Sequence, residues 1–543
     1  MKNRIKQYLL AASMCVGLTA CSDFFEPIPG VQFGLDETFA SKQRTEEYLN
    51  NVYSYVREVT DAIHPNTYGG IFTEASLDGA NRWNKTYAEW TNGSFNSASA
   101  QASEYFSKYY QAIAKASTFI QNVDKCTEAA ASTRGKWKSE ARALRAYYYF
   151  ELLRLYGPIP LIGEDPIPLD ASLEELIKER NSVDECVNFI ATELQSAIDS
   201  GDLLQRAGKA NLGRMDVATC MALKAKLYLY WASPLFNGNT DQASVKNKDG
   251  KQLFPQTEDN SKWTQARDAY ERFMTFATGQ GYKLTEVYTN GKLDPYASCR
   301  AAGEFFTTTW EAVDELIFVK LRDLYDYTYW VCPKFTDFQD TDVTGGGGYY
   351  TTQETVDLFF TKDGLTIEED PGYDKFEGIP GANNFTSGRY YDPNNPSRLY
   401  FDADKSKVLK QWKDREPRFY VNITYSGSIW LNEGKYNEEM RTDFTNGANG
   451  TCGKSKASGD CPDSGYLIRR GAKASNNNGS KHFSPVLRLA DMYLGYAEAL
   501  CMCSDLDNAL TYLNKIRVRA GIPEYTFTAT AGKITCPKTP VSY

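Results

Sequence analysis

The sequence has almost no histidine: two in 543 residues, His64 and His482. Histidine is the side chain best suited to general base work near neutrality, and two so far apart in the chain read as incidental polar residues. The usual nucleophile and metal patterns are absent as well, with no H-E-x-x-H, no G-x-S-x-G and no paired C-x-x-C. Ala448–Ser455 (ANGTCGKS) approaches a phosphate loop, but Ala448 stands where glycine is required and no apolar strand precedes it. Positive charge is short. The net charge of −9 and pI near 5.2 exclude a general basic field for a phosphate backbone, and with it a nucleic-acid partner. The apolar run at 8–20 is too short to span a bilayer, which takes roughly 20 residues. Twelve cysteines are too few for a disulfide scaffold in a chain of this length. Cys452 and Cys461 bracket a Gly/Ser/Lys loop and either form one local bridge or remain thiols, whereas Cys186 and Cys220 fall in helical patterns as small buried hydrophobes. Cys501-x-Cys503 lacks zinc spacing, so neither a metal site nor a cofactor follows. The 69 acidic residues leave a glycosidase carboxylate pair open, because such pairs have no fixed local spacing.

What is present begins with an address. Lys2, Arg4 and Lys6 form a basic start, residues 8–20 an apolar stretch, and small residues follow, the pattern of a secretory signal. Its end, Leu18-Thr19-Ala20-Cys21, resembles the lipobox of bacterial lipoproteins. That resemblance implies cleavage after Ala20, acylation of Cys21 and a membrane hold through more than one chain. Cys15 competes, but bulky Met14 precedes it and the apolar run would be cut short. Residue 22 is Ser rather than Asp, which favours the outer membrane over retention at the inner one. Residues 21–35 read as a tether, and 36–543 as a single domain.

Helical periodicity dominates that domain. Residues 43–58, 104–124, 182–199, 214–232 and 263–278 carry apolar positions at helix spacing, and Ser182-Val-Asp-Glu185 is a capping-box pattern. EARALRAYYYFELLRLYGPIP (140–160) is apolar around most of its circumference until Gly157-Pro158 stops it. Its Tyr147–Phe150 run, flanked by arginines, reads as packing between helices rather than a ligand platform. Ser484-Pro485 is expected to open a last pair of helices, 486–500 and 506–521, the first carrying Val486, Leu489, Tyr493 and Leu500. A helix–turn–helix of this length approximates the ~34-residue tetratricopeptide period. The expected fold is therefore mainly α: degenerate tetratricopeptide-like repeats at about 104–280 and 484–521 form a scaffold.

The rest is loop-rich. Residues 64–100, 286–350, 361–405 and 425–480 are rich in Gly, Asn, Asp, Ser, Thr and Tyr, with short β-prone pieces such as Tyr420–Tyr425 suited to hairpins. Loops this long are usually functional. Aromatics make up 14% of the chain, and a ring with a polar edge suits the apolar C–H face of a sugar. Trp137, Trp231 and Trp263 fall in helical patterns and belong to the core. Trp83, Trp90, Trp310 and Trp330 lie in or beside the excursions. Arg82, Trp83 and Asn84 set a ring among hydrogen-bonding groups, and Tyr288, Tyr296, Tyr327 and Tyr329 are secondary candidates. Against each stands the alternative of an aromatic that pins its own loop.

Six ordered blocks, KSEARALRAYYYFELLRLYGPIPLI (138–162), ERNSVDECVNFIATEL (179–194), GRMDVATCMALKAKLYLYWASPLFNG (213–238), ELIF (315–318) with TQETVDLF (352–359), DREPRFYVNI (414–423) and PVLRLADMYLGYAEAL through RAGIP (485–523), resemble the SusD/RagB-like family of Bacteroidetes surface lipoproteins. The resemblance implies a non-catalytic nutrient-binding protein that delivers oligosaccharide to a SusC-like TonB-dependent transporter at the cell surface. Its partners would be that transporter, a glycan and, through the acyl anchor, outer-membrane lipid. The alternatives keep the fold and bind peptide or another nutrient, or make the protein a surface glycoside hydrolase or adhesin. The family does not hold its ligand contacts at fixed motif positions, so none is carried over. After RAGIP the family continues with an Arg/Glu/Trp-rich helix, from which EYTFTATAGKITCPKTPVSY (524–543) departs.

Overall fold

The computed structural model describes residues 34–57, 93–163, 171–303, 314–323, 331–335, 345–376, 378–431, 440–444, 460–472 and 481–528, with short stretches between and beyond them such as 79–81, 452, 533–536 and 539–541. Its frame is a row of helices in which each packs on the next. In chain order these are α1 (Lys42–Ser54), α2 (Ala100–Asn122), α3 (Ala131–Tyr156), α4 (Val183–Asp199), α5 (Val217–Ala232) and α6 (Ser261–Gly279). Then follow α7 (Pro295–Gly303) and α8 (Pro417–Asn422) in the loop-rich part, and α9 (Leu489–Met502) and α10 (Leu506–Arg519). The chain leaves the row after α6 and rejoins it at α9, which packs on α6, with α10 on α9. Among the described residues no helix is long and apolar enough to cross a membrane.

The centre of the row is α3. Tyr147, Tyr148, Tyr149 and Phe150 are at most 2% exposed, so all four are interhelical packing. Two of the phenol hydroxyls are satisfied inside the fold: that of Tyr149 donates to Ile162 O at 2.8 Å, and that of Tyr148 donates to Val52 O. Arg145 is fully buried. Its Nε donates to Glu193 Oε2 of α4 at 2.9 Å and its Nη1 to Ser117 Oγ of α2 at 3.1 Å. The helix begins at Ala131, well before the stretch that announces it, because Ser132–Lys136 carries no apolar period. Gly135 is accommodated there by a close neighbour, since a Cβ would lie 2.7 Å from the Asp202 carboxylate. Gly157 ends the helix at φ 68°, where its N–H donates to Leu153 O at 3.0 Å.

The capping box at α4 forms as read: Ser182 N donates to Glu185 Oε2 at 2.7 Å, and Glu185 N returns to Ser182 Oγ at 3.3 Å. Trp137, Trp231 and Trp263 are buried, as are Cys186 and Cys220. The insertion at 233–262 is no free excursion. Leu253 and Phe254 are buried in the helical core, and Leu253 O accepts from Val183 N at 2.9 Å.

Several expectations are corrected by pairing between distant segments. In chain order the strands are β1 (Ala80–Asn81), β2 (Leu316–Asp323), β3 (Tyr349–Tyr350), β4 (Ile423–Thr424), β5 (Leu467–Ile468) and β6 (Lys481–Arg488). Ser484 and Pro485 do not open a helix; they lie in β6, antiparallel to β2, and α9 starts at Leu489. Pro485 is tolerated because the register breaks immediately after it, as expected for a proline at a bulge. Tyr420–Asn422 are likewise helical, in α8, which Pro417 starts; only Ile423 and Thr424 continue as strand. Two short hairpins do form, 288–289 with 292–293 and 389–392 with 395–402. Residues 526–541, where the resemblance implies a helix, include a three-stranded antiparallel ribbon.

The loop-rich part has cores of its own. One gathers Tyr400, Trp412, Phe419, Tyr420, Tyr425 and Tyr466, with Tyr400 stacked on Tyr420 at 3.9 Å between ring centroids. Another gathers Val331, Tyr349, Trp430, Met440, Cys452 and Ala472. Cys452 and Cys461 are both buried as thiols, so the bridge weighed between them does not form.

Candidate ligand-binding site

A four-stranded sheet organises the loops. Its order is β1-β3-β5-β4, with Asn81 opposite Tyr349, Tyr350 opposite Leu467, and Ile468 opposite Ile423. Pairing fixes the exit points of the connecting segments. Asn81 is the last described residue before Arg82, Trp83, Asn84 and Trp90, and it is held by Tyr349. Val331 is the first described residue after Tyr329 and Trp330, and it packs in the same cluster as Tyr349 and Trp430. Two aromatic-bearing segments therefore spring from one layer. Gly303 and Asp314 flank the segment that carries Trp310, and Arg300, three residues earlier in α7, donates to Ala472 O of that cluster at 3.5 Å. Arg82, Trp83, Asn84, Trp90, Trp310, Tyr327, Tyr329, Trp330 and the lipidation candidate Cys21 themselves lie outside the described residues.

The structure separates the two described candidates. Tyr288 is 61% exposed on a hairpin tip, its hydroxyl donating to Glu286 Oε2 at 2.9 Å. That hydrogen bond to a carboxylate raises the tyrosine pKa, so the ring keeps its proton as a donor. Tyr296 is instead buried in the core of the loop-rich part, its ring covered by the Arg398 guanidinium at 4.3 Å and by Tyr400 at 5.6 Å. It pins α7 rather than offering a face. Arg398 clamps the base of the hairpin as well, donating to Asp294 Oδ2 at 2.9 Å. Burial acts to raise the Asp294 carboxyl, but the hydrogen bonds from Arg398 and the Ala297 N–H outweigh it and hold the group below its usual range.

Glu286 links the hairpin to a groove of about 800 Å³. Tyr282, Tyr493, Asp507, Asn514 and Lys515 line it, and the Lys515 ammonium sits 5.1 Å from the Tyr493 ring. An aromatic wall with amide, carboxylate and ammonium groups at hand matches the requirements of a polyhydroxylated ligand. Tyr493, on the apolar period of α9, packs against the helical core and is half-buried at the groove. The signal that marks it is the stripe Asp507, Thr511, Asn514 and Lys515 along one face of α10, polar where a buried helix would be apolar. A second polar hollow, about 320 Å³, lies in the 361–405 excursion and its flank, where Lys362, Tyr373, Lys410 and Asp414 meet. Its charges are consumed internally, as in Lys362 Nζ to Asp414 Oδ1 at 2.9 Å.

Comparison with known proteins agrees with this architecture. A family model described as the SusD family matches residues 315–538, and one described as starch-binding associating with outer membrane matches 32–229. A SusD-like protein of Bacteroides ovatus is 27% identical over 175 residues, 31% of this chain and 30% of that one, so the match spans under a third of the relative's length. A solved SusD-like protein from Bacteroides fragilis NCTC 9343 superposes with a TM-score of 0.65 at 21% identity, covering 92% of this chain and 84% of that one. A SusD-like carbohydrate binding protein from the same organism gives 0.61 at 18% identity, with 91% and 82% covered. At such identities the likeness to solved structures speaks for the fold alone. The two family models take in the ordered sequence blocks, that at 213–238 up to residue 229, and the chain belongs to the SusD/RagB-like family.

Proposed function

We propose that this protein is a non-catalytic nutrient-binding lipoprotein of the outer-membrane surface, which captures oligosaccharide or polysaccharide and passes it to a SusC-like TonB-dependent transporter. The observation that carries the reading is the match of residues 32–229 to a family described as starch-binding and associating with the outer membrane. That stretch contains Arg82, Trp83, Asn84 and Trp90. Aromatic-bearing segments leave one small sheet on a rigid helical frame, the arrangement in which loops bind with least loss of order. Acyl chains on Cys21 would hold the frame at the membrane, and closure of the loaded protein over the barrel would couple capture to import.

The test uses the soluble 22–543 form against a panel of glycans by affinity electrophoresis and calorimetry. Binding without accumulation of reducing ends is expected, and Trp83→Ala should weaken it by about tenfold, the loss of roughly 1.4 kcal/mol of stacking. Unchanged affinity in Trp83→Ala removes that ring from the site. Reducing ends appearing over time overturn the non-catalytic reading. Failure of the membrane-bound protein to co-purify with a barrel overturns the delivery step.

A further inference from the structure

Where α7 and α8 meet α9 and α10, the described residues leave a cleft of about 400 Å³, lined among others by Phe359, Arg418, Arg488, Leu494 and Arg519. Its walls are built on two buried carboxylates. Glu315, with no exposed surface, accepts from Arg519 Nη1 at 2.8 Å, Arg488 Nη1 at 3.1 Å and Thr285 N at 2.7 Å. Glu416, 1% exposed, accepts from Arg418 Nε and from Phe360 N at 2.9 Å. Arg418, Arg488, Arg519 and Arg470 all line the cleft beside these two carboxylates, a local excess of positive charge in a chain whose net charge is −9.

The hydrogen bonds are left over too. Arg418 engages its carboxylate through Nε alone, and Arg488 through Nη1 alone, so the remaining amino groups of both have no protein partner among the described residues. Both side chains keep partial exposure, 33% and 26%, and both line the cleft. Burial first, and then the like charge of Arg470, pull the Arg488 guanidinium down to about 10. A guanidinium fork with open donors is the standard receptor for a carboxylate or a sulfate oxygen pair. Beside it, Leu358 and Leu494 present apolar surface, 70% and 42% exposed.

We propose that this cleft is an additional binding site, taking the carboxylate or sulfate ester of an acidic sugar. Arg418 and Arg488 supply the donors, and Leu358 and Leu494 pack on the C–H face of the ring. Its volume fits one or two sugar units. The proposal rests on the glycan-binding reading above and deepens it by naming a class of ligand.

Calorimetry with digalacturonate and glucosamine 6-sulfate distinguishes the two anion chemistries, with sodium sulfate as the bare anion and cellobiose as the neutral control. At least one acidic sugar should bind, and about tenfold more weakly to Arg488→Gln and to Leu494→Glu. In the first variant Arg519 still holds Glu315; in the second the substituted side chain is exposed, so both should fold, as unchanged melting would verify. Trp83→Ala should leave this affinity unchanged, and cellobiose, where it binds, should be indifferent to both cleft variants. The proposal is overturned if neither acidic sugar binds, if Leu494→Glu binds as the parent does, if Trp83→Ala abolishes the acidic-sugar signal, or if bare sulfate binds as tightly as the sugars. Neutral glycan bound by the parent with neither acidic sugar bound sinks this proposal alone; no glycan of any kind bound by the parent sinks the reading beneath it.

Discussion

Gly495 of α9 lies directly against the phenol ring of Tyr270 of α6: a Cβ added at Gly495 would fall 2.7 Å from Cζ and closer still to the hydroxyl. This contact is the joint at which the returning chain rejoins the helical row. Tyr270 is 1% exposed and stacks on Tyr496 at 6.1 Å, so its ring has little room to yield.

Gly495→Ala should therefore destabilise the fold despite the better helix propensity of alanine. Overpacking of this kind costs about 1–3 kcal/mol, against about 1 kcal/mol gained from replacing a helical glycine. Urea unfolding should show a net loss of up to about 2 kcal/mol. Adding Tyr270→Phe should recover part of it, and a double variant no more stable than the single one would argue against the hydroxyl as the source.

The buried Arg145–Glu193 pair joins α3 to α4, and Arg145→Ala would leave Glu193 with only Arg142 Nη1 at 3.0 Å. Removing one partner of a buried pair costs about 3–5 kcal/mol. Arg142→Ala, at a side chain 23% exposed, should cost roughly 1 kcal/mol or less. Equal losses in the two variants would mean that burial does not set the scale here.

Asp216 caps α5, accepting from Thr219 N and Ala207 N at 2.7 Å each, and burial pushes its carboxyl up to about 6. An acid whose folded pKa exceeds its unfolded value, near 3.9, binds protons better when folded. Its contribution is full below about pH 4 and is lost as pH rises through 6. Relative to Asp216→Asn, the parent should thus gain roughly 2–3 kcal/mol between pH 7 and pH 4. Parallel stability curves for the two proteins would refute the shift.

The parts of this fold readable from the sequence are those set by near neighbours. The Ser182–Glu185 box, the stop at Gly157 and the all-round apolar character of Tyr147–Leu153 each involve residues within a turn or two, and each appears as read. The β2–β6 pair was not legible, because Ser484 and Pro485 look like a helix start until strand 316–323 is laid beside them. Tyr296 and Tyr288 carry the same local signal, yet one is sealed beneath Arg398, from 102 positions further on in the numbering, while the other stands in solvent. Tyr493 falls on the apolar period of α9 and Lys515 on the polar side of α10, and only the packing of the two helices makes them one groove wall.

The β2–β6 ladder has a temporal consequence. Leu489, the first residue of α9, donates to Glu315 O at 2.8 Å, so the last two helices are moored to a strand made much earlier. On the ribosome, α1 to α6 can assemble from contacts close in sequence, while their outer flank waits for roughly two hundred more residues to emerge. Until then α6 presents an uncovered apolar side, and export in an unfolded state would spare the cell that intermediate.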